Sequence, residues 1–494
     1  MSNVSGVIKS IQDIMRKDVG VDGDAQRISQ LVWMFFLKIF DDREYELELT
    51  EDEFQSPIPD HLRWRNWAAD PEGITGVALA DFVNSQLFPT LKEKLPTHGP
   101  ARQRAQVVRT VFEDAYNYMK SGTLMRQVIN KINEIDFNNT EDRHTFGSIY
   151  EQILKNLQSA GNAGEFYTPR AVTRFIVNRV DPKLEEKILD PACGTGGFLA
   201  CTIDHKREKY GINNDQDEET LQASIFGVEK KALPHMLATT NMILHGIDVP
   251  TQIEHANMLS RRAYTDYGNK DRKAVIITNP PFGGMEEDGV ENQFPATYRT
   301  RETADLFMAL VIRLLETNGR AAVVLPDGFL FGEGMKTRLK QSLLEECNLH
   351  TIVRLPKGVF NPYTGIKTNL LFFTKGQPTE KVWYYEHPYP DGVKSYNKTK
   401  PMRFEEFQTE IDWWGDETDG FATREQTEQA WKVSIDVIVA RNYNLDIPNP
   451  HIGEQIKHDP DELLQQYREK KQGITDLREQ LKASLHQALS GEQA

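Results

Sequence analysis

Apolar positions along the chain change period twice. Near the start they recur every three to four residues. Ile8, Ile11 and Met15 share one helical face, and Ile28, Leu31, Val32, Phe35 and Ile39 form a broader stripe. These spacings predict helices through residues 1–150, with Asp24 as the cap of the second one. The proline-containing stretch Gln55 to Glu72 reads as loop. From about Lys187, short β-rich runs alternate with helical patterns. Candidate strands are Lys187–Leu189, Ser224–Val228, Ala274–Thr278, Ala321–Leu325, His350–Arg354 and Asn369–Phe373. Helical patterns such as Leu233–His245, Asp305–Thr317 and Met335–Glu346 lie between them. That alternation implies an α/β fold with a parallel, doubly wound sheet, whose ligands bind at the carboxyl ends of the strands. In the tail, Tyr467, Ile474, Leu481 and Ala488 are spaced by seven, and Leu477 adds a second seam position. This predicts a short amphipathic helix suited to packing on another helix, within the chain or on a partner. The expected division is a helical domain at 1–150, an α/β domain at 151–450 and a helical tail at 451–494.

Composition narrows the class. A chain of 494 residues suits several domains, and 39% hydrophobic residues exclude wholesale disorder. The longest apolar run, Leu31 to Leu37, is followed by Lys38 and falls far short of the ~20 residues of a membrane span. The start, Met1 to Ser10, has no pattern of a secretory signal. Cys193, Cys201 and Cys347 cannot form a disulfide framework. No C-x-x-C or H-E-x-x-H spacing suggests a metal. A soluble, cytoplasmic protein is expected. Its net charge of −15 argues, taken alone, against a nucleic-acid partner. The distribution changes that reading. Asp41 to Glu53 and Phe404 to Asp419 each carry a net −7, which leaves the remainder nearly neutral. Local basic patches are then open to it, such as Lys394, Lys398, Lys400 and Arg403, or Arg299 with Arg301. Each patch alone is more simply a solvated loop.

Two motifs carry candidate chemistry. Ile188 to Leu199 reads I-L-D-P-A-C-G-T-G-G-F-L, a strand, a glycine turn and a helix start. The turn lets backbone amides approach a ligand closely. A dinucleotide fingerprint fails, because its last glycine position is Leu199. A phosphate loop fails too, and Gly365-Ile366-Lys367-Thr368 lacks the required spacing. Asp190 would repel a pyrophosphate but suits an ammonium, so S-adenosylmethionine fits better than a nucleotide. Glu229 ends the next strand, where an acid can accept from two ribose hydroxyls. Asn257 lies near the following strand end and could pair with an adenine edge. A lone strand-end Glu is as often a solvated carboxylate; its place after the second strand lowers that reading.

The second motif, Asn279-Pro280-Pro281-Phe282, ends the apolar strand Val275 to Thr278. The prolines stiffen the loop and leave a carbonyl free to accept. With Asn279 as a second acceptor, both hydrogens of one exocyclic amine can be held, which frees its lone pair. Phe282 offers a face for a planar base. Positioning and electrostatics would then do the catalysis, without a metal. A base inside a duplex would have to flip out to reach such a pocket. A proline turn at a strand end is common as pure structure, but after the glycine loop and Glu229 the constellation is far more specific.

With these residues the chain resembles the modification subunits of type I restriction–modification systems, which are adenine-N6 DNA methyltransferases. Most of the chain takes part. Glu165, Phe166, Tyr167, Thr168, Pro169 and Arg170 resemble the family's cofactor-contacting segment. Asp190 through Leu199, with Thr195, Gly196 and Gly197, matches its cofactor loop, Glu229 its ribose-binding acid, and Asn279 to Phe282 its catalytic loop. Gly319 to Pro326 resembles a later strand, Gln30 to Arg43 the N-terminal helical domain, and Asn442 to Asp446 a C-terminal signature. Two positions depart. Asn257 stands where an acid often contacts the cofactor adenine, and Cys193 where a small residue often stands. The resemblance implies a methyltransferase that uses S-adenosylmethionine and acts on double-stranded DNA. It also implies two copies assembled with one specificity subunit, restriction subunits in the full complex, and a helical domain that closes on DNA. Rival readings are a stand-alone amine methyltransferase acting on adenine, guanine or a glutamine amide, and a non-catalytic DNA-binding scaffold. The short stretch after Phe373 leaves little room for a recognition domain, which disfavours the stand-alone enzyme.

Overall fold

The computed structural model describes residues 4–137, 168–361, 364–397, 400–451 and 460–489. The chain divides into two units, Met1–Ile447 and Pro448–Ala494.

The first described segment of unit one is helical, with its main helices at Val4–Met15, Gly23–Thr50, Gly76–Phe82, Arg102–Phe112 and Gly122–Ile132. Ile8, Ile11 and Met15 are buried together, as their spacing predicts. The Gly23–Thr50 helix exceeds the prediction. Every residue from Leu31 to Leu37 is buried, not only one stripe, because neighbouring helices surround it. Trp33 meets the ring of Phe88 edge-on at 5.1 Å. Asp24 is not its cap. The helix starts two residues earlier, at Gly23, Asp22 takes the cap position, and the Asp22 amide donates to Gln26 Oε1 at 2.6 Å. Asp24 instead pairs with Arg27 one turn on. Within Gln55 to Glu72 the chain forms two short turns of helix, at Asp60–Leu62 and Trp64–Trp67.

Part of the first acidic stretch is paired, while Glu51, Asp52 and Glu53 are exposed. Asp41 lies beneath Arg65 at 3.0 Å, and Asp42 pairs with Lys38 at 2.6 Å. Glu48 bridges Arg63 and Arg65 at 2.7 and 2.6 Å. In the second stretch, Glu410 is fully buried against His387, and the Tyr396 hydroxyl donates to Glu406.

One nine-stranded sheet organises the rest of unit one: β1 Ile188–Asp190, β2 Ile225–Glu229, β3 Ile253–His255, β4 Lys273–Thr278, β5 Leu315–Pro326, β6 Cys347–Arg354, β7 Thr368–Lys375, β8 Lys381–Glu386 and β9 Ala430–Ser434. The order is β3-β2-β1-β4-β5-β7-β6-β8-β9. The five strands from β3 to β5 are parallel, as expected of a doubly wound sheet. The remainder is mixed. β7 lies antiparallel between β5 and β6, and β9 is antiparallel to β8. The chain returns directly from Arg354 to its partner Asn369 without a crossover helix, and such a return must run antiparallel. Three strands escape sequence reading: β3, in which Ile253 is the single apolar residue, and β8 and β9, which follow the last predicted strand.

Two left-handed residues, Asn442 and Tyr443, turn the chain back after β9. The Leu445 amide then donates to the Leu330 carbonyl at 3.0 Å, and Asp446 pairs with Arg354 at 2.7 Å. The Asn442 to Asp446 segment thus pins the end of unit one onto the strand ends.

Unit two contains a helix of 30 residues, Pro460–Leu489, which is longer than the heptad pattern predicts and runs through Gly473. Tyr467, Ile474, Leu477 and Leu481 are all exposed on it. Among the described residues, no helix is long and apolar enough to cross a membrane.

Candidate active site

β1 delivers Asp190 to the carboxyl edge of the sheet, and the glycine turn follows. Gly194 and Gly196 adopt φ of 54° and 78°, a left-handed backbone that other residues reach only with strain. A side chain at Gly196 would also press on Met242 at 3.2 Å and on Ala238 at 3.4 Å. Gly197, which opens the Gly197–Tyr210 helix, faces free space. Thr195 is buried, and its carbonyl accepts from the Asn241 amide at 3.2 Å. Cys193 is a packed side chain: its sulfur lies 3.1 Å from where a Cβ on Gly227 would stand, and burial pushes its thiol well above the usual range.

Asp190 is buried, accepting from the Thr278 hydroxyl at 2.8 Å and the Ala192 amide at 3.1 Å. Burial raises its carboxyl to about 7; the two hydrogen bonds oppose that shift and the nearby Glu229 adds to it. Glu229 closes β2. The Gly194 amide donates to one of its oxygens at 3.0 Å and the Lys231 amide to the other at 2.8 Å. Each oxygen keeps a further lone pair. Burial raises Glu229 to about 7 as well, against the pull of those amides.

A cleft of about 210 Å³ opens beside these acids. Pro191, Glu229, Lys230, Asn257, Pro281 and Glu286 are among its lining residues. Asn257 reaches the cleft, but its amide is already engaged. Its nitrogen donates to Glu286 at 3.1 Å and its oxygen accepts from the Leu259 amide at 3.0 Å. One N–H remains to meet an adenine edge.

β4 runs on into Asn279. The side-chain nitrogen of Asn279 donates to Thr168 Oγ1 at 3.0 Å. Its oxygen is buried and has no hydrogen-bond partner among the described residues. Pro280 is buried, and Pro281 faces the cleft. Phe282 meets Phe360 edge-on, with ring centres 6.2 Å apart and planes inclined at 65°. Of the segment ahead, Glu165, Phe166 and Tyr167 lie outside the described residues. Thr168 touches the Asn279 to Phe282 loop through Asn279, and Pro169 leads into the Arg170–Val180 helix. Arg170 is 3.6 Å from Asp204, on the helix that follows the glycine turn.

The basic patches behave as local structure. Arg301 pairs with Asp288 at 2.7 Å and donates to the Glu286 carbonyl, and Arg299 donates to the Phe294 carbonyl at 3.3 Å. Arg403 is 3.7 Å from Glu406, while Lys398 lies outside the described residues.

Comparison with known proteins decides the family. Residues 141–459 match the N-6 DNA methylase family, and residues 4–132 match the HsdM N-terminal domain. The methylase subunit of the type I restriction enzyme EcoEI from Escherichia coli is 66% identical over 489 residues, covering 99% of both chains. The chain belongs to the type I restriction enzyme methylase subunits. The EcoKI methylase subunit of Escherichia coli K12 is 30% identical over 67% of this chain and 65% of its own. In structure, a crystallised chain assigned as the modification subunit of a type I restriction enzyme from Vibrio vulnificus YJ016 superposes with a TM-score of 0.82, at 42% identity, over 92% of this chain and 98% of its own. A chain from a study of complex assembly and conformational transition in a type I R-M system gives 0.80 at 33% identity over 100% and 99%. Membership identifies the chain as an adenine-specific DNA methyltransferase and sets aside the stand-alone and scaffold readings.

Several residues of this methylase site escape sequence reading. Thr278 could have been suspected, since it directly precedes Asn279 on a strand. Lys230 and Glu286 give no local signal, because they meet only through the folded cleft.

Proposed function

We propose that the cleft binds S-adenosylmethionine and that Asn279 to Phe282 hold the N6 amine of a flipped adenine from double-stranded DNA. The observation that carries this is Asn279. Thr168 fixes its nitrogen, so its oxygen is held as an acceptor with nothing to accept from among the described residues. A buried, unsatisfied acceptor is costly unless a ligand supplies the donor. The residues also fit the cofactor. Asp190 suits an ammonium, Glu229 keeps lone pairs for two hydroxyls, and the open space above Gly197 admits a ligand to the turn. When bound, that cofactor supplies a methyl group on a sulfonium.

The chain's own residues then do three things. Asn279 and a proline carbonyl accept the two hydrogens of the target amine and expose its lone pair. Phe282, held edge-on by Phe360, offers its face to the base. Asp190 and Glu229 anchor the cofactor so that the two reacting groups meet without rearrangement. The amine's spare proton leaves to solvent, and no strong base is needed.

The partners follow from the family. Two copies of this chain assemble with one specificity subunit that reads the sequence, joined by restriction subunits in the full complex. The exposed seam of Tyr467, Ile474, Leu477 and Leu481 suits that assembly, and the helical N-terminal region suits closing on DNA. The test is methyl transfer from labelled S-adenosylmethionine to unmethylated DNA, with and without the specificity subunit. Asn279→Ala should lower transfer at least about a thousandfold while cofactor affinity stays unchanged. Near-normal activity in that variant would overturn its role.

A further inference from the structure

Glu286 lies seven residues beyond Asn279 on the same excursion from the sheet. The base of that excursion is closed. Met285 and Glu302 form an antiparallel bridge, the Glu286 amide donates to the Arg301 carbonyl at 2.9 Å, and the Thr303 amide donates to the Gly284 carbonyl at 3.0 Å. Thr303 opens the buried Thr303–Leu314 helix, so this base is tied to the core. From it the Glu286 side chain, 8% exposed, reaches across the cleft. One oxygen accepts from Lys230 at 3.2 Å and from Asn257 at 3.1 Å, and the other accepts from the Thr303 hydroxyl at 3.4 Å.

Lys230 directly follows Glu229 at the end of β2, and Asn257 follows β3. One carboxylate therefore joins the ends of β2 and β3 to the loop that leaves β4. The join spans the cleft that the proposed cofactor would fill. A ligand there would displace water from around the Glu286 clasp, and a charged hydrogen bond strengthens as its surroundings dry.

We propose that Glu286 is a positioning residue that couples a filled cofactor cleft to a fixed catalytic loop. The proposal rests on the cofactor reading above. Through Glu286 a bound adenosine moiety steadies residues 283–301 and with them Asn279. By reciprocity the steadied loop holds the cofactor more tightly.

The experiment is hydrogen–deuterium exchange over residues 283–301 of the full chain, with and without saturating S-adenosylhomocysteine. In the parent chain the ligand should slow exchange there about tenfold. In Glu286→Ala that slowing should vanish even at saturation. Glu286→Gln, which keeps the shape and part of the hydrogen bonding, should restore some of it. In methyl-transfer assays Glu286→Ala should lose more in kcat than in the KM for S-adenosylmethionine. Ligand-induced slowing that persists in Glu286→Ala would overturn the coupling. Failure of the parent chain to bind S-adenosylhomocysteine would instead sink the cofactor reading, and this proposal with it.

Discussion

In the helical N-terminal region Asp41 is buried beneath Arg65. In the α/β region Asp190 and Glu229 are buried among backbone amides and one threonine hydroxyl. Glu44 apart, which is buried with the Ser56 hydroxyl as its bonded partner, the helical region meets its buried acids with arginines and lysines supplied by the same fold, at Lys38, Arg63 and Arg65. The strand ends do not. Their two carboxylates are oriented but not neutralised by a bonded cation, and burial raises both to about 7. Charge that is buried and paired serves the fold. At the strand ends the acids without a bonded cation stand beside the cleft, which suits them to the cationic ligand proposed above.

Substitutions of opposite consequence would break this contrast. Asp41→Ala leaves the Arg65 amide and guanidinium without their acceptor and should destabilise unit one by about 2 kcal/mol, read as a lower melting temperature. Asp190→Asn removes a charge the fold has not paired. At pH 8 it should leave melting unchanged or raise stability by about 1 kcal/mol, while weakening S-adenosylmethionine binding about thirtyfold. Equal destabilisation by both would erase the distinction.

Acidity sharpens it further. Below pH 7 both strand-end acids are largely protonated, and a cationic ligand requires them ionised. Affinity for S-adenosylmethionine should therefore climb about tenfold for each acid, about a hundredfold for the two, from pH 6 to pH 8 and level off above. Calorimetric titration across that range checks it, and an affinity that falls with rising pH would contradict the assignment. The smallest effect concerns Thr168. Thr168→Val leaves the Asn279 amide free to turn, and should lower kcat about fivefold at unchanged cofactor affinity. A matching loss of affinity would place Thr168 on the cofactor instead.

Much of this was legible in the sequence, and the rest fails for identifiable reasons. Six of the nine strands follow from apolar runs bounded by turns, because those runs are buried on both faces. β3 holds a single apolar residue, Ile253, so no apolar run marks it. The antiparallel β7 is invisible to composition, since direction depends on how the chain returns rather than on what it contains. The glycine loop, Glu229 and Asn279 are local motifs, so spacing alone exposes them. Glu286 acts across the cleft from a loop, and no local pattern encodes that. The acidic run Asp41 to Glu53 shows only its net charge in one dimension; in three, its Asp41 and Glu48 meet Arg63 and Arg65, which lie outside the run.

The helix Ala232–Leu244 has two owners. Met236, Leu237, Ile243 and Leu244 complete the apolar core of the N-terminal helices, and Arg43 grips Asp248 just beyond the helix at 2.6 Å. Ala238 and Met242 belong to the core beneath the glycine turn, where Asn241 also holds Thr195. The unit that can be exchanged between relatives is therefore not the helical domain as its sequence boundary suggests. A graft of the first 137 residues would arrive without the surface it was shaped against. Recombination that preserves both halves has to carry this helix, lying a hundred residues downstream, along with them.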